Sequence, residues 1–306
     1  MAAERHFAVI GGSGLIGGAT AARLIAAGSR VTILSRQRPA AFPPGGAWVQ
    51  ADITDAAGLA AALGAQTYDG VLHLAAYLQF ACEKDPVQAV RVNVDGTLNV
   101  LEACRTLGIR RCVFASSIAA YGERHDLMHE DDPPAASIGL YGMTKRLGEM
   151  LGARYAALHG LEFVALRYAG VYGPGKVHSP GMALVRQLIK DTAQGIDVTV
   201  EGASGDEGVH LTHVEDAAEA TCRALLHPAP GHHVYNVGGP PQCHVPLREF
   251  HAAVKKLVPG AGKVTWQGRG RSSGPVDLTR LREDLGFTPS VSLEAGLAAD
   301  LGLKLP

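Results

Sequence analysis

The apolar run FAVI, residues 7–10, leads straight into Gly11-Gly-Ser13-Gly14-Leu15-Ile16-Gly17 and then into an alanine- and leucine-rich stretch reaching about Ala27. A short apolar run that stops at glycine reads as a buried strand, and the stretch after it as a helix. Gly11, Gly14 and Gly17 stand at GxxGxxG spacing inside that strand–turn–helix unit. Gly11 permits the tight turn, Gly14 lets the backbone approach a phosphate, and Gly17 lets helix and strand pack closely. The first N–H groups of the helix and its partial positive charge face the same place. The turn, with Ser13, Leu15 and Ile16, is therefore expected to hold the pyrophosphate of a dinucleotide.

The first half keeps this alternation. Runs at 31–34 and 48–52 read as strands, and those at 70–74, 112–116 and 163–167 follow, each separated by a helical stretch. Strands apolar on both faces and joined by helices mean a parallel sheet covered on both sides. The expected fold is α/β, a doubly wound parallel Rossmann-type sheet. After Arg167 the texture changes to Gly/Pro-rich loops such as YGPGK and EGASGDEG. Helices near 182–193, 216–226, 247–258 and 293–301 follow, with no regular strands expected between them. The division is a dinucleotide-binding domain over 1–174 and a smaller, mainly substrate-binding C-terminal lobe over 175–306. Residues 209–238 are expected to return to the main sheet through the run VYNVG at 234–238.

The chain has 306 residues, enough for one large domain with a lobe, and 47% are hydrophobic, enough for a sizeable core. A formal net charge of −1 argues against nucleic acid or an anionic membrane as partner. No apolar stretch approaches a membrane span, and the run FAVI reads as a buried strand, so no signal segment is expected there. The cysteines at 82, 104, 112, 222 and 243 contain no CxxC pair and read as reduced thiols of a cytoplasmic protein. The pairs His232–His233 and His210–His213 lack a third ligand nearby, so no metal site is expected.

An acidic residue at the end of the second strand would hold an adenine ribose carrying a free 2′-hydroxyl. Here the order is Ser35-Arg36-Gln37-Arg38. No carboxylate stands there to repel a 2′-phosphate, Ser35 is expected to donate a hydrogen bond to one, and Arg36 offers a planar fork to pair with it. NADP(H) is favoured on this reading, with NAD(H) as the alternative.

Tyr141 and Lys145 form a YxxxK pair in a helical stretch, so they share a helix face. A tyrosine with a free pKa near 10 is a poor base at neutral pH, and a neighbouring ammonium favours the phenolate. Tyr141 can then exchange a proton with a substrate hydroxyl or carbonyl while hydride moves at the adjacent carbon. Ser116 and Ser117 close the strand at 112–116, at the carboxyl end where such sheets bind ligands. Ser117 is placed to hydrogen-bond the reacting oxygen, and Ser116 to face the cofactor.

In order along the chain stand GGSGLIG, ADITD, HLAA, VNVDGTLNVLEAC, SSIAAYG, YGMTK, LRYAGVYGPG, HVEDAA and DLTRLREDLGFTP. The chain thus resembles an extended short-chain dehydrogenase/reductase of the NAD-dependent epimerase/dehydratase type, over nearly its whole length. The resemblance implies that Ser117, Tyr141 and Lys145 are the catalytic set. It implies that Asp52 and Ile53 meet the adenine, that Leu74, Ala75 and Ala76 lie against the linking phosphates and ribose, and that Asn93 supports the site. It places Tyr168, Gly170 and Val171 along the nicotinamide amide, and implies a homodimer.

Departures from the family pattern bear on the chemistry. Ile118-Ala119 stands where dehydratases carry Asp-Glu, which argues against sugar dehydration. Gly170 stands where sugar-nucleotide epimerases carry Asn, and Val209 where they carry an Arg for the substrate diphosphate. Each lost charge-assisted contact is worth roughly 1.5–3 kcal/mol, though Lys176 or Arg186 could compensate. The leading expectation is an NAD(P)-dependent dehydrogenase or reductase acting on a small non-nucleotide hydroxyl or keto compound. The alternative is a sugar-nucleotide 4-epimerase with tightly bound NAD, and a third reading is a non-catalytic NADP(H) sensor. By position, Tyr77, Gln79, Ser117, Tyr121, His178 and Met182 are expected to line the substrate pocket.

Overall fold

The structure is a computed structural model that describes residues 4–39, 43–174, 180–227 and 230–304. The first half runs β1 (His6–Ile10), α1 (Leu15–Ala26), β2 (Arg30–Ser35), β3 (Ala47–Gln50), α2 (Ala56–Gly64), β4 (Gly70–His73), α3 (Gln79–Lys84) and α4 (Pro86–Val90). A π-helical turn, Arg91–Asp95, leads into α5 (Gly96–Leu107) and β5 (Arg111–Ser117). A 3-10 turn, Ile118–Tyr121, then precedes α6 (Leu140–His159) and β6 (Glu162–Tyr168). The second half adds β7 (Gly170–Tyr172), α7 (Pro180–Ala193), β8 (Val198–Glu201), β9 (Gly208–His213), α8 (Val214–Leu226) and β10 (Val234–Val237). It ends with β11 (His244–Pro246), α9 (Leu247–Leu257), β12 (Val264–Gln267), α10 (Thr279–Leu285) and α11 (Leu293–Leu301).

Seven strands form the main sheet in the order β3-β2-β1-β4-β5-β6-β10, every neighbouring pair parallel. The order reverses between β1 and β4, the switch point outside whose carboxyl ends such sheets bind ligands. Successive side chains of a strand point to opposite faces. Phe7 and Val9 thus join Ala21 and Leu24 of α1 and Ala217 and Ala220 of α8 in one buried cluster. Ala8 and Ile10 join Leu59 of α2, Val100 of α5 and Phe114 in the other. Two covered faces explain why these strands read as unbroken apolar runs.

β10 pairs with β6, so the run at 234–238 does reach the main sheet. The expectation that no strands separate the C-terminal helices does not hold. β7, β9 and β11 form a three-stranded sheet, and β8 and β12 a parallel pair. These strands have three to six residues each and lie between glycine- and proline-rich loops, which conceals their periodicity. A third apolar cluster, including Leu188, Val200, Phe250 and Leu297, binds them to α7, α9 and α11.

Candidate active site

One cavity of about 1310 Å³ opens at the carboxyl ends of the main strands. Its dinucleotide end begins at the glycine turn. Gly11 has φ +85°, and its backbone lies so close to Ala75 N that a Cβ would stand 2.6 Å from it. At Gly17 a Cβ would meet Gly12 Cα at 2.7 Å and Leu74 Cδ1 at 2.9 Å. At Gly14 a Cβ would meet only Gly11 O at 3.6 Å and otherwise enter the cavity. Gly14 is the N-cap of α1, which carries no side-chain cap and no acidic residue in its first turn. The free N–H groups of that turn therefore face a space that glycine alone keeps open, which fits a pyrophosphate.

Gly11, Ser13, Gly14, Leu15, Ile16, Gly17, Ser35, Arg36, Asp52, Ile53, Leu74, Ala75, Ala76, Ser116, Tyr168, Gly170 and Val171 all line this cavity. Asn93 is buried and does not line it. Its side chain accepts from Tyr77 N at 2.7 Å and donates to Tyr77 O at 2.9 Å and Thr144 Oγ1 at 3.0 Å. Asn93 sits in the π-helical turn and clamps the cavity wall at Tyr77 to α6. At the end of β2, Ser35 Oγ donates to Gln37 O at 2.7 Å and accepts from Trp48 Nε1 at 3.0 Å. Its proton is committed to the local turn, so the case for a 2′-phosphate narrows to Arg36, with Arg38 nearby in the lining.

Ser117, Tyr141 and Lys145 also line the cavity. Ser117 ends β5, and its hydroxyl accepts from Ala119 N at 3.1 Å and hydrogen-bonds the Tyr141 phenol. Lys145 Nζ donates to Ala115 O at 2.6 Å and stands 5.6 Å from the centre of the Tyr141 ring. Burial lowers the ammonium to about 8, against the opposing influence of Cys82 and Glu149. Burial also pushes the Tyr141 phenol above its ordinary value, the Cys82 thiol adds to that, and the Ser117 bond opposes it. The sequence expectation put the ammonium first; in the folded chain burial dominates the phenol.

α6 comes unusually close to the sheet. At Gly142 a Cβ would stand 2.1 Å from Ala119 O, at Gly148 2.6 Å from Phe114 Cζ, and at Gly152 2.1 Å from Phe163 Cζ. The close approach presses Tyr141 and Lys145 against the end of β5. The opposite side of α6 exposes Met143, Leu147 and Met150. Beneath the site, Arg167 donates to both oxygens of Glu149 at 2.8 and 2.7 Å, and Ser116 Oγ donates to Glu149 Oε1 at 2.5 Å.

Of the expected substrate residues, Tyr77, Gln79, Ser117 and Met182 line the cavity. Tyr121 does not: its side chain is wholly buried, its hydroxyl donates to Asn236 Oδ1 at 2.7 Å, and the Arg167 guanidinium lies 4.5 Å over its ring. The buried Glu149–Arg167 pair draws the ring inward. His178 and Lys176 lie outside the described residues, and Arg186 is not among the lining residues.

The sequence reading missed the far wall. Glu123, Ser137, Arg271, Ser272 and Ser273 also line the cavity. Single β-bridges, Arg124 to Ser273 and Met128 to Val276, bring the strap 270–277 across from the C-terminal half. Of the cationic side chains that line the cavity among the described residues, Arg36, Arg38, Lys145 and Arg271, only Arg271 comes from the C-terminal half of the chain. Val209 also lines the cavity. No local periodicity marks Arg271 in GRGRSSG; the pairing across more than 140 residues places it.

Among the described residues no group of three or more His, Cys, Asp or Glu could hold a metal ion. The five cysteines are buried and free. No described helix is long and apolar enough to cross a membrane.

Residues 7–238 match the NAD dependent epimerase/dehydratase family. A UDP-glucose 4-epimerase of Streptomyces lividans is 31% identical, over 93% of this chain and 91% of its own. The structure of MoeE5 in complex with UDP-glucuronic acid and NAD superposes with a TM-score of 0.86 at 30% identity, covering 97% of this chain and 98% of that one. A UDP-glucose 4-epimerase of Thermus thermophilus in complex with NAD gives 0.86 at 27% identity, with the same coverage.

Proposed function

The chain belongs to the NAD dependent epimerase/dehydratase family, and on that premise we propose that it is a sugar-nucleotide 4-epimerase acting on a UDP-hexose. The observation that carries this is one continuous cavity lined by the glycine turn, Tyr141 and Arg271. At about 1310 Å³ it exceeds the roughly 300–1,000 Å³ that holds one small ligand, and it has a phosphate-binding feature at each end. Arg271 answers the sequence objection that Val209 stands where an arginine for the substrate diphosphate is expected. The sugar-nucleotide reading thus displaces the expected dehydrogenase of small non-nucleotide compounds.

The glycine turn would hold the pyrophosphate of the dinucleotide, Asp52 and Ile53 its adenine, and Lys145 its ribose hydroxyls. When bound, the dinucleotide supplies a hydride acceptor and then donor, and in its oxidised form a positive charge that favours the Tyr141 phenolate. Tyr141 takes the proton of the sugar 4-hydroxyl as hydride leaves C4, so a 4-keto sugar forms. Ser117 donates to the ketone oxygen and keeps it beside Tyr141. The same phenol returns the proton once hydride re-enters from the other face of the sugar. Lys145, tied to Ala115 O, keeps a positive charge under the phenolate. Relatives hold NAD; Arg36 supports acceptance of a 2′-phosphate as well. The exposed Leu98 of α5 and Met143, Leu147 and Met150 of α6 support pairing with a second copy.

The test is incubation with UDP-glucose, UDP-galactose and UDP-glucuronic acid, with products resolved by proton NMR and absorbance followed at the nicotinamide band. Interconversion at C4 without net cofactor reduction is expected, and Tyr141→Phe is expected to lose at least about 10²-fold in kcat while retaining its cofactor. Stoichiometric accumulation of reduced cofactor restores the dehydrogenase reading. No turnover of any UDP-hexose removes the present one.

A further inference from the structure

The Arg271 side chain is exposed, and none of the described residues forms a hydrogen bond or ion pair with its guanidinium. Its Nη1 lies toward the residue before α6, 3.8 Å from where a Cβ on Gly139 would stand, with Glu83 Oε1 3.0 Å from the same point. The aim of the side chain is therefore set by the backbone that carries it. That backbone is intrinsically loose on its N-terminal side, where Gly268 (φ +114°) and Gly270 bracket Arg269.

One group restrains it there. Glu207 is buried, and its Oε1 accepts from Gly270 N at 2.7 Å, Ser204 N at 2.9 Å and Ser204 Oγ at 3.0 Å. Its Oε2 accepts from Gly205 N at 2.8 Å and Ser204 N at 3.1 Å. Only an ionised carboxylate offers acceptors alone to donors converging from two segments. The next residue, Gly208, continues the attachment. It accepts from Ser273 N at 2.8 Å and donates to Ser272 Oγ at 2.8 Å, and Ser273 O pairs with His244 Nε2 at 2.9 Å. On the other side of the strap, Gly274 N donates to Arg124 O at 2.7 Å. Arg271 thus hangs between the Glu207 clasp before it and the Gly208–His244–Arg124 anchors after it.

We propose that Glu207 is the positioning residue for Arg271, holding the Gly270 amide so that the guanidinium faces the diphosphate of the substrate. The inference rests on the sugar-nucleotide reading. Glu207 touches no reacting atom and acts through the strap. Loss of the clasp frees the segment 268–271, so Arg271 spends binding energy on ordering the strap when the anion arrives. The effect falls on substrate binding and leaves the proton-transfer set at Tyr141 in place.

The experiment is calorimetric titration of UDP into the full-length protein as wild type, Glu207→Ala, Arg271→Ala and the double variant. Folding is checked by circular dichroism, and Glu207→Gln, which keeps the shape and one acceptor oxygen, takes the place of alanine if that variant does not fold. Arg271→Ala is expected to weaken UDP by about 10- to 100-fold, the worth of one charge-assisted contact. Glu207→Ala is expected to weaken it by about 10-fold in the wild-type background and by less than about 2-fold once Arg271 is gone. KM for the UDP-hexose rises in parallel, with kcat changed less. Equal weakening in both backgrounds shows a merely structural role and overturns the inference, as does unchanged affinity of Glu207→Ala or Glu207→Gln. Wild-type protein that binds no UDP overturns the sugar-nucleotide reading itself, a different result from either of these.

Discussion

Gly142→Ala is expected to damage catalysis out of proportion to stability. Gly142 follows Tyr141 in α6, and its missing side chain faces Ala119 O, with a Cβ–O separation of only 2.1 Å. Ile138 Cγ1 would stand 2.8 Å away on the same side. Ordinary non-bonded contact needs about 3.5 Å, so helix and 3-10 turn must part by more than about 1 Å. Ala119 cannot yield freely, because its amide donates to Ser117 Oγ and its carbonyl accepts from Gly122 N. Overpacking of this kind costs roughly 1–3 kcal/mol, and replacing glycine by alanine inside a helix returns about 1 kcal/mol. The net loss is about 0–2 kcal/mol, a fall in Tm of a few degrees for a chain of this size. The parting lies between Ser117 and Tyr141, however, and a misplacement of about 1 Å in a reacting set can cost on the order of 10²-fold. The assay is kcat for UDP-hexose epimerisation beside a thermal melt and a measure of retained dinucleotide. A folded, dinucleotide-bound Gly142→Ala protein with wild-type kcat refutes the idea that this contact sets the Ser117–Tyr141 geometry. A fall in kcat explained by loss of folded protein refutes it as well.

Arg36→Ala is expected to lower kcat/KM or affinity selectively for NADP(H), by about 1–3 kcal/mol, with NAD(H) little changed; equal losses for both cofactors, measured on reconstituted protein, remove Arg36 from the 2′ site. Glu207 has its carboxyl held down to about 2 from 4.5; burial opposes this, and the amides of Gly270 and Ser204 outweigh it. A depressed carboxyl stabilises the fold above the unfolded value of 4.5 and loses that contribution as pH falls through about 2. Urea midpoints of wild type should therefore fall between pH 4.5 and 2 more steeply than those of Glu207→Gln, and parallel curves contradict the assignment.

What was legible in the sequence was what local pattern controls. β1, β2, β4, β5 and β6 carry apolar residues on both faces, which a doubly covered sheet explains, and they and the edge strand β3 lie within a residue or two of the runs read from the sequence. The run at 234–238 was legible for the same reason. β8, with VTVE, alternates over four residues between glycine-rich loops, too short to stand out. The glycine turn, Ser117, Tyr141 and Lys145 could be placed because each sits beside a recognisable strand end or helix face. Tyr121 was misplaced because position next to Ser117 says nothing of which way a ring turns; the Glu149–Arg167 pair and Asn236 decide that. Arg271 and Glu207 were invisible because their meeting is made by tertiary pairing of the strap with residues 124–128 and 207–208, which no local period records.

The glycine contacts of α6 also bear on how a chain like this can diverge. Its inner side, at Gly142, Gly148 and Gly152, has no room for even a methyl group, so inherited variation there meets an immediate barrier. Its outer side, at Met143, Leu147 and Met150, meets no such barrier. A lineage can therefore rewrite which surfaces this helix recognises, residue by residue, while the phenol and ammonium on the same helix descend unaltered.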